Sequence, residues 1–249
     1  MDGTFPVIDA RLLLWINHIV AAKPWLYKLC LFLTDDAADI LLVLTAAWLW
    51  LWPIDSTVMA RAGGVVRPLT RRESRARLIS FGVAAMGAYI VARIIAIAVD
   101  ADRPFVTFLP VRGLPGSFDG LRTFGSFPSD HAALLAALPI AFFKWDRRLG
   151  LAWTAAAALL IVVRVGVGFH YPSDMLAGAL LGMTFGAVAM AVHDRSRRVH
   201  ALTVAVAAGF ERLPHAIGLY SLLGLVGLEF AMHFQHVMQF VMWLYHRVA

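Results

Sequence analysis

Cysteine is almost absent from this sequence. Cys30 is the only one among 249 residues, so no intrachain disulfide can form and a thiolate-rich metal site is excluded. Charge is scarce too: 15% of residues are Asp, Glu, Lys or Arg, against 60% hydrophobic. A soluble domain of this length carries about a quarter charged residues. The long Leu-, Ala- and Val-rich runs lack strict apolar–polar alternation, which argues against a β-barrel. No internal repeat and no low-complexity linker is visible. The start, Met1-Asp2-Gly3, has no basic stretch ahead of an apolar core and does not read as a cleaved signal peptide. The composition points to an all-α, polytopic, integral-membrane helical bundle, with residues 1–249 forming one domain.

Apolar runs predict spans near 37–53, 77–99, 131–144, 149–168 and 173–193. Each is close to the roughly 20 residues that cross a bilayer, with 131–144 short. Residues 8–33 are apolar but interrupted by Lys23-Pro24. Proline removes a backbone donor and disfavours helix before it, so a helix near 9–22 and another near 24–34 are expected. Whether they cross together or lie at the interface is left open. Residues 199–213 read as an interfacial helix and 215–246 as a last apolar helix. About six spans result.

A net charge of +6 raises the question of nucleic acid, and the placement of the charge answers it. Arg61, Arg67, Arg71, Arg72, Arg75 and Arg77 fall in one inter-span loop, Lys144, Arg147 and Arg148 in another, and Arg195, Arg197 and Arg198 in a third. These alternate with loops that have no excess of basic residues. That is the positive-inside pattern, and it implies no nucleic-acid partner. Loops 54–76, 144–148 and 194–200 are therefore assigned to the cytoplasm. Loop 100–130 and the turn at 165–172 belong on the opposite, outer face. In loop 100–130, Arg103, Arg112 and Arg122 balance Asp100, Asp102 and Asp119. Trp48, Trp50, Trp52 and Trp243 read as interfacial anchors.

The ionisable residues at that outer face are the unusual ones, because such groups are costly near a bilayer unless they have a task there. Pro172 suits the first turn of a helix that would place Asp174 where the macrodipole favours a carboxylate. His170 lies just before it, within reach. A carboxylate on one imidazole nitrogen fixes the tautomer and leaves the other nitrogen to attack. In Pro128-Ser129-Asp130-His131, Ser129 is an N-cap, and free amides plus a hydroxyl at a helix start suit an anion. His131 then sits at the rim, placed to protonate a leaving oxygen. Arg103 and Arg164 offer planar forks for phosphate oxygens. Taken singly, the two histidine motifs also fit an ordinary helix start beside an interfacial histidine.

Together these motifs carry a resemblance. Arg164-x5-His170-x3-Asp174 resembles the third signature of the type 2 phosphatidic acid phosphatase superfamily, Pro128-Ser129-Asp130-His131 its second, Pro-Ser-Gly-His, and Arg103-Pro104 the end of its first, Lys-x6-Arg-Pro. The resemblance covers a core of about 25–193 and leaves the C-terminal helices, about 199–247, outside. Phe127 to Ala132, Val167 to Pro172, Asn17-His18 and Pro24-Trp25-Leu26 resemble the bacitracin-resistance branch, bacterial undecaprenyl-diphosphate phosphatases. The resemblance implies an inner-membrane phosphatase of a lipid diphosphate, with its site facing the periplasm and no metal or other cofactor. It implies His170 as nucleophile, Asp174 as its orienting carboxylate and His131 as the acid. Arg103, Arg164 and Ser129 would hold the phosphate. Three positions depart from the pattern. Ala96 stands at the first-signature lysine, and Arg93, one turn earlier, either reaches the same phosphate or replaces nothing. Val163 stands where many members have serine. Asp130 stands at the glycine, free to cap its helix, to pair with Arg103 or to discourage extra negative charge in the substrate.

Other readings remain at this stage. A phosphatase of phosphatidylglycerophosphate, phosphatidate or lipid A, or a lipid phosphotransferase, fits the same motifs. A lipid transporter or flippase would also use membrane arginines and broken helices, but the polar groups cluster at one face and no repeat is present. An inactive lipid-binding scaffold is compatible with the missing lysine. Vanadium haloperoxidases of the superfamily are soluble, unlike this chain. Glu229, His233 and His236 share a helical face, read as polar lining or a subunit contact rather than a metal site. His18, His193, His200, His215 and His246 are assigned no role. A homodimer is left open.

Overall fold

A computed structural model of the chain describes residues 7–34, 38–51, 70–107, 111, 125–212 and 224. Among these residues all regular structure is helical: α1 Val7–Ala21, α2 Pro24–Phe32, α3 Ala38–Leu51, α4 Arg71–Val99, α5 Asp130–Trp145, α6 Arg147–Gly166, α7 Pro172–Arg195 and α8 Arg197–Glu211. The expected apolar helix 215–246, with Glu229, His233 and His236, lies outside the described residues. So do Trp52, Trp243, Arg61, Arg67, Arg112, Arg122 and Asp119. Three helices, α4, α6 and α7, are long and apolar enough to cross a membrane, and α5 is a shorter apolar helix with Pro139 inside it.

Helix α4 begins earlier than the apolar run suggests. Thr70 Oγ1 accepts from the Glu73 amide at 3.2 Å, and Glu73 Oε2 accepts from the Thr70 amide at 2.8 Å. This capping box satisfies two donors at the helix start. Arg71, Arg72 and Arg75 therefore occupy the first turns of α4 and not the loop expected at 54–76. Arg72 and Arg75 reach Glu211 at the end of α8, at 2.9 and 3.0 Å. The Arg75 guanidinium lies 5.1 Å from the centre of the Trp50 ring, which meets Phe210 edge-on at 5.8 Å. The basic end of the bundle is thus tied together by α3, α4 and α8.

The centre of the bundle is α5, which touches α4, α6 and α7. Lipid tails are as apolar as leucine, so helix association inside a bilayer rests on close packing rather than on burial from water. Gly178, Gly182 and Gly186 form one row on α7. A Cβ at these positions would overlap the carbonyl oxygens of Ser129, Ala133 and Ala137. The backbones of α5 and α7 therefore meet directly. Outward from this seam, Val83, Ile90 and Ile94 on α4, Leu159 and Val162 on α6, and Leu180 and Val188 on α7 are exposed. Such apolar surface suits acyl chains, not water.

The N-terminal segment, whose course the sequence leaves open, is part of the bundle. Asn17 Nδ2 of α1 donates to the Gly166 carbonyl at 2.9 Å, closing the end of α6. Asp9 accepts from the amide and hydroxyl of Ser173 at 3.0 and 2.5 Å, closing the start of α7. Both polar residues are buried, and each relieves a helix end of an unsatisfied group.

Candidate active site

Four helix ends meet opposite the Trp50 end: the last turns of α4 and α6 and the first turns of α5 and α7. Arg93, Arg103, Ser129, Asp130, Arg164, His170 and Asp174 all gather there, each less than a tenth exposed. His131 is the open member, with 23% of its side chain accessible. Buried ions need partners, and these have them.

The turn before α7 sets up His170. Gly168 adopts φ +87, a left-handed conformation that suits glycine, and a Cβ there would strike Val111. His170 Nδ1 lies 3.0 Å from the Ser126 carbonyl oxygen and 3.6 Å from Asp174 Oδ2. A carbonyl oxygen only accepts, so Nδ1 carries the hydrogen and Nε2 keeps its lone pair. Arg103 Nη1 faces Nε2 at 3.2 Å and also donates to the Phe169 carbonyl at 3.2 Å. Burial first, and then the Arg103 charge, lower the His170 imidazolium to about 4. Burial likewise brings Arg103 down to about 10, still cationic at neutral pH.

Asp174 acts differently from the simple dyad the spacing suggests. Its Oδ2 accepts the Tyr171 amide at 2.8 Å and the Ser126 hydroxyl, while its side chain is fully buried. The nearer contact to His170 Nδ1 is the main-chain oxygen of Ser126. Asp174 thus holds the loop that holds the imidazole. Ser126 is the residue the sequence reading missed. Its contribution is largely a backbone carbonyl, which no side-chain motif announces; its position three residues before Ser129 is the only trace.

The start of α5 also differs from expectation. Ser129 Oγ caps the Ala132 amide at 3.4 Å, as read from the sequence, but the amides there are not free. The Ser129 amide donates to the Asp174 carbonyl at 3.0 Å, and the His131 amide to Asp130 Oδ1 at 2.7 Å. The close α5–α7 seam and the carboxylate that replaces glycine at 130 take up these donors. Asp130 Oδ2 pairs with Arg93 Nη1 at 2.7 Å rather than with Arg103, and Oδ1 meets His131 Nδ1 at 2.7 Å. Tyr89 stands edge-on to the His131 ring at 6.2 Å. Arg164 Nη1 donates to the Thr34 carbonyl at 2.7 Å, fixing its place beneath the end of the α2 segment. Among the described residues no group of three or more His, Cys, Asp and Glu side chains could hold a metal.

One buried and one partly open imidazole, each with Nδ1 occupied, and two flanking guanidiniums form a set able to bind an anion, attack it and protonate what leaves. Known proteins are similar in sequence to this chain. Residues 77–198 match the profile of the PAP2 superfamily. YbjG of Escherichia coli, a protein provisionally named an undecaprenyl-diphosphatase, is 28% identical over 68% of this chain and 74% of its own length. A lipid A 1-phosphatase of Rhizobium johnstonii is 27% identical over 78% of this chain and 91% of that protein. The undecaprenyl-diphosphatase BcrC of Bacillus subtilis is 27% identical over 46% of this chain and 56% of its own.

Proposed function

This chain belongs to the PAP2 superfamily, and from that premise we propose that it hydrolyses the terminal phosphate of a membrane lipid diphosphate, with undecaprenyl diphosphate as substrate and undecaprenyl phosphate, the recycled cell-wall carrier lipid, as product. The observation that carries the reading is the state of His170. Its Nδ1 is held by the Ser126 carbonyl at 3.0 Å, and its Nε2 lies 3.2 Å from Arg103, so a nucleophilic lone pair and a phosphate-binding cation share one point. The bacitracin-resistance likeness and the relatives named as undecaprenyl-diphosphatases support the substrate.

In the proposed reaction Arg103 and Arg164 bind the equatorial phosphate oxygens, with the Ser129 hydroxyl beside them. His170 Nε2 attacks the terminal phosphorus. The N–P bond forms as the P–O bond to the lipid phosphate breaks, and the bonding pair leaves with that oxygen. His131 delivers a proton to it. Water then attacks the phosphorus of the phosphohistidine, giving up a proton to His131; the N–P bond breaks, its pair returns to His170 Nε2, and inorganic phosphate departs. Asp174 steadies the imidazolium and the Ser126 loop. No metal ion or cofactor enters these steps. We place the chain in the bacterial inner membrane, as one domain of about six spans with the site toward the periplasm, because the arginine-rich segments lie at the other end of the bundle.

A second reading is a phosphatase of lipid A, supported by the Rhizobium relative that this chain matches over 91% of its length. Phosphatidylglycerophosphate, phosphatidate and transfer of the phosphate to another lipid are further alternatives.

The deciding experiment measures phosphate release by detergent-purified protein in EDTA, for wild type and His170→Ala. The substrates are undecaprenyl diphosphate, lipid A 1-phosphate, phosphatidylglycerophosphate and phosphatidate. Release from the prenyl diphosphate that His170→Ala abolishes supports substrate and mechanism together. Release only from another lipid overturns the carrier-recycling role and leaves the chemistry. No release from any of them overturns the phosphatase reading in favour of a lipid transporter or an inactive lipid-binding scaffold.

A further inference from the structure

Asp130 stands where the superfamily's second signature has glycine, and it is 4% exposed. A carboxylate at that depth is costly to desolvate unless its oxygens are engaged. Both are. Oδ2 takes Arg93 Nη1 at 2.7 Å, and Oδ1 takes the His131 amide and His131 Nδ1, each at 2.7 Å. An ionised carboxylate only accepts, so Nδ1 of His131 is the protonated nitrogen and its Nε2 edge is the one left to face a substrate. Ser126 imposes the same arrangement on His170. Arg93 comes from the last two turns of α4 and is also buried. Its pairing with Asp130 joins α4 to the start of α5.

We propose that Asp130, anchored by Arg93, is the positioning residue for His131: it holds Nδ1–H, so that the neutral ring has its lone pair at Nε2 and the imidazolium carries its labile proton there, aimed at the leaving oxygen of the substrate. Arg93 then serves the proton donor and not the phosphate, which answers how this chain does without the first-signature lysine: the cation nearest that place is committed to the acid. The inference rests on the phosphatase reading for its reaction. As the scissile P–O bond breaks, its electron pair goes to the leaving oxygen, the Nε2 proton of the His131 imidazolium follows, and the neutral ring that remains keeps its Nδ1–H hydrogen-bonded to Asp130. Water regenerates the pair when it hydrolyses the phosphohistidine.

The device matters in proportion to the basicity of the leaving group. An alkoxide from phosphatidate needs the proton most, a lipid phosphate from a diphosphate needs it less, and 4-nitrophenolate hardly needs it. Asp130→Asn should lower kcat for phosphatidate by about a hundredfold and for undecaprenyl diphosphate by less. It should leave hydrolysis of 4-nitrophenyl phosphate within about threefold of wild type. The double variant Arg93→Gln/Asp130→Asn removes both buried charges together, and it should match Asp130→Asn in kcat and in KM. An equal loss on all three substrates, or a KM for the double variant well above that of the single, overturns the proposal, the latter by returning Arg93 to the phosphate. A second readout is independent of turnover. Imidazole 15N spectra of the detergent-solubilised protein should show His131 as the Nδ1–H form in wild type and as a tautomer mixture in Asp130→Asn. Identical spectra overturn the proposal. A tautomer change in a protein that releases no phosphate keeps the pairing and sinks the phosphatase reading instead.

Discussion

Asp9 holds Ser173 by two bonds, accepting the backbone amide at 3.0 Å and the hydroxyl at 2.5 Å. Ser173 lies between His170 and Asp174, so a residue of the first helix braces the turn that carries His170. A carboxylate at a helix start also opposes the positive end of the macrodipole. Asp9→Ala should therefore cost about 1–2 kcal/mol of stability and lower phosphate release about tenfold through loss of alignment. Thermal unfolding in detergent and a release assay on the same preparation test this. Unchanged values in both would show that α1 is not a brace.

His170 makes a prediction about pH. Its folded value of about 4 lies below the ordinary 6.5 because of burial and then Arg103. The unfolded chain therefore binds a proton between these values that the folded chain does not, and stability falls as pH drops from about 6.5 to 4. The His170 imidazole meanwhile stays neutral. The acid limb of kcat/KM, corrected for the separately titrated substrate, should lie near 4. Arg103→Gln removes one cause of the depression and should move that limb upward. An acid limb at 6.5 in wild type would contradict the buried geometry.

The α5–α7 seam predicts a sharp contrast between glycines. A Cβ at Gly182 overlaps the Ala133 carbonyl, a main-chain atom that cannot step aside, whereas a Cβ at Gly82 meets nothing within 4 Å. Gly182→Leu should abolish recovery of folded protein from detergent. Gly82→Ala should be neutral or stabilising by up to about 1 kcal/mol, the ordinary helix preference. Size-exclusion profiles and melting temperatures separate the two. A folded, active Gly182→Leu protein would refute the packing described.

At the other end of the bundle, Glu211 links α8 to α4. Burial alone would raise its carboxyl; Arg72 and Arg75 outweigh that and hold it below the ordinary value. The stability it contributes is present above about pH 4.5 and is lost as pH falls through the lower folded value. Glu211 is 22% exposed in its side chain, so screening keeps the contribution to about 1 kcal/mol or less. Glu211→Gln should lower the melting temperature slightly at neutral pH and low salt, with the difference shrinking in high salt. A large, salt-insensitive drop would mean that the link does more than pair charges.

The long apolar helices were legible because a bilayer demands about 20 apolar residues in a row. The runs at 149–168 and 173–193 became α6 at 147–166 and α7 at 172–195. The start of α4 was hidden because its first turns are arginines, which read as loop to a hydropathy argument, while the Thr70–Glu73 box that begins the helix is a local signal. In the site, the side chains of Arg103, His131, Arg164, His170 and Asp174 were found by spacing, and the structure brings them to one end. The partners of those side chains were not legible. The Ser126 carbonyl is main chain. The occupied Ser129 amide at the start of α5 depends on how closely α7 approaches, and that depends on three glycines that belong to no recognised motif. Asp9 and Asn17 were polar intrusions in an apolar run, a signal for buried contacts whose partners lie 164 and 149 residues away.

Gly178, Gly182 and Gly186 have a mechanical consequence. The helix that begins at Asp130 and His131 and the helix that follows His170 touch backbone to backbone, a contact that no rotamer change can alter. Their spacing is then set by van der Waals contact between main-chain atoms rather than by side-chain fit. The exposed isoleucine, leucine and valine side chains on the outer surfaces adapt by changing rotamer, so a change in bilayer shape is expected to reach them before it reaches the spacing of His131 and His170.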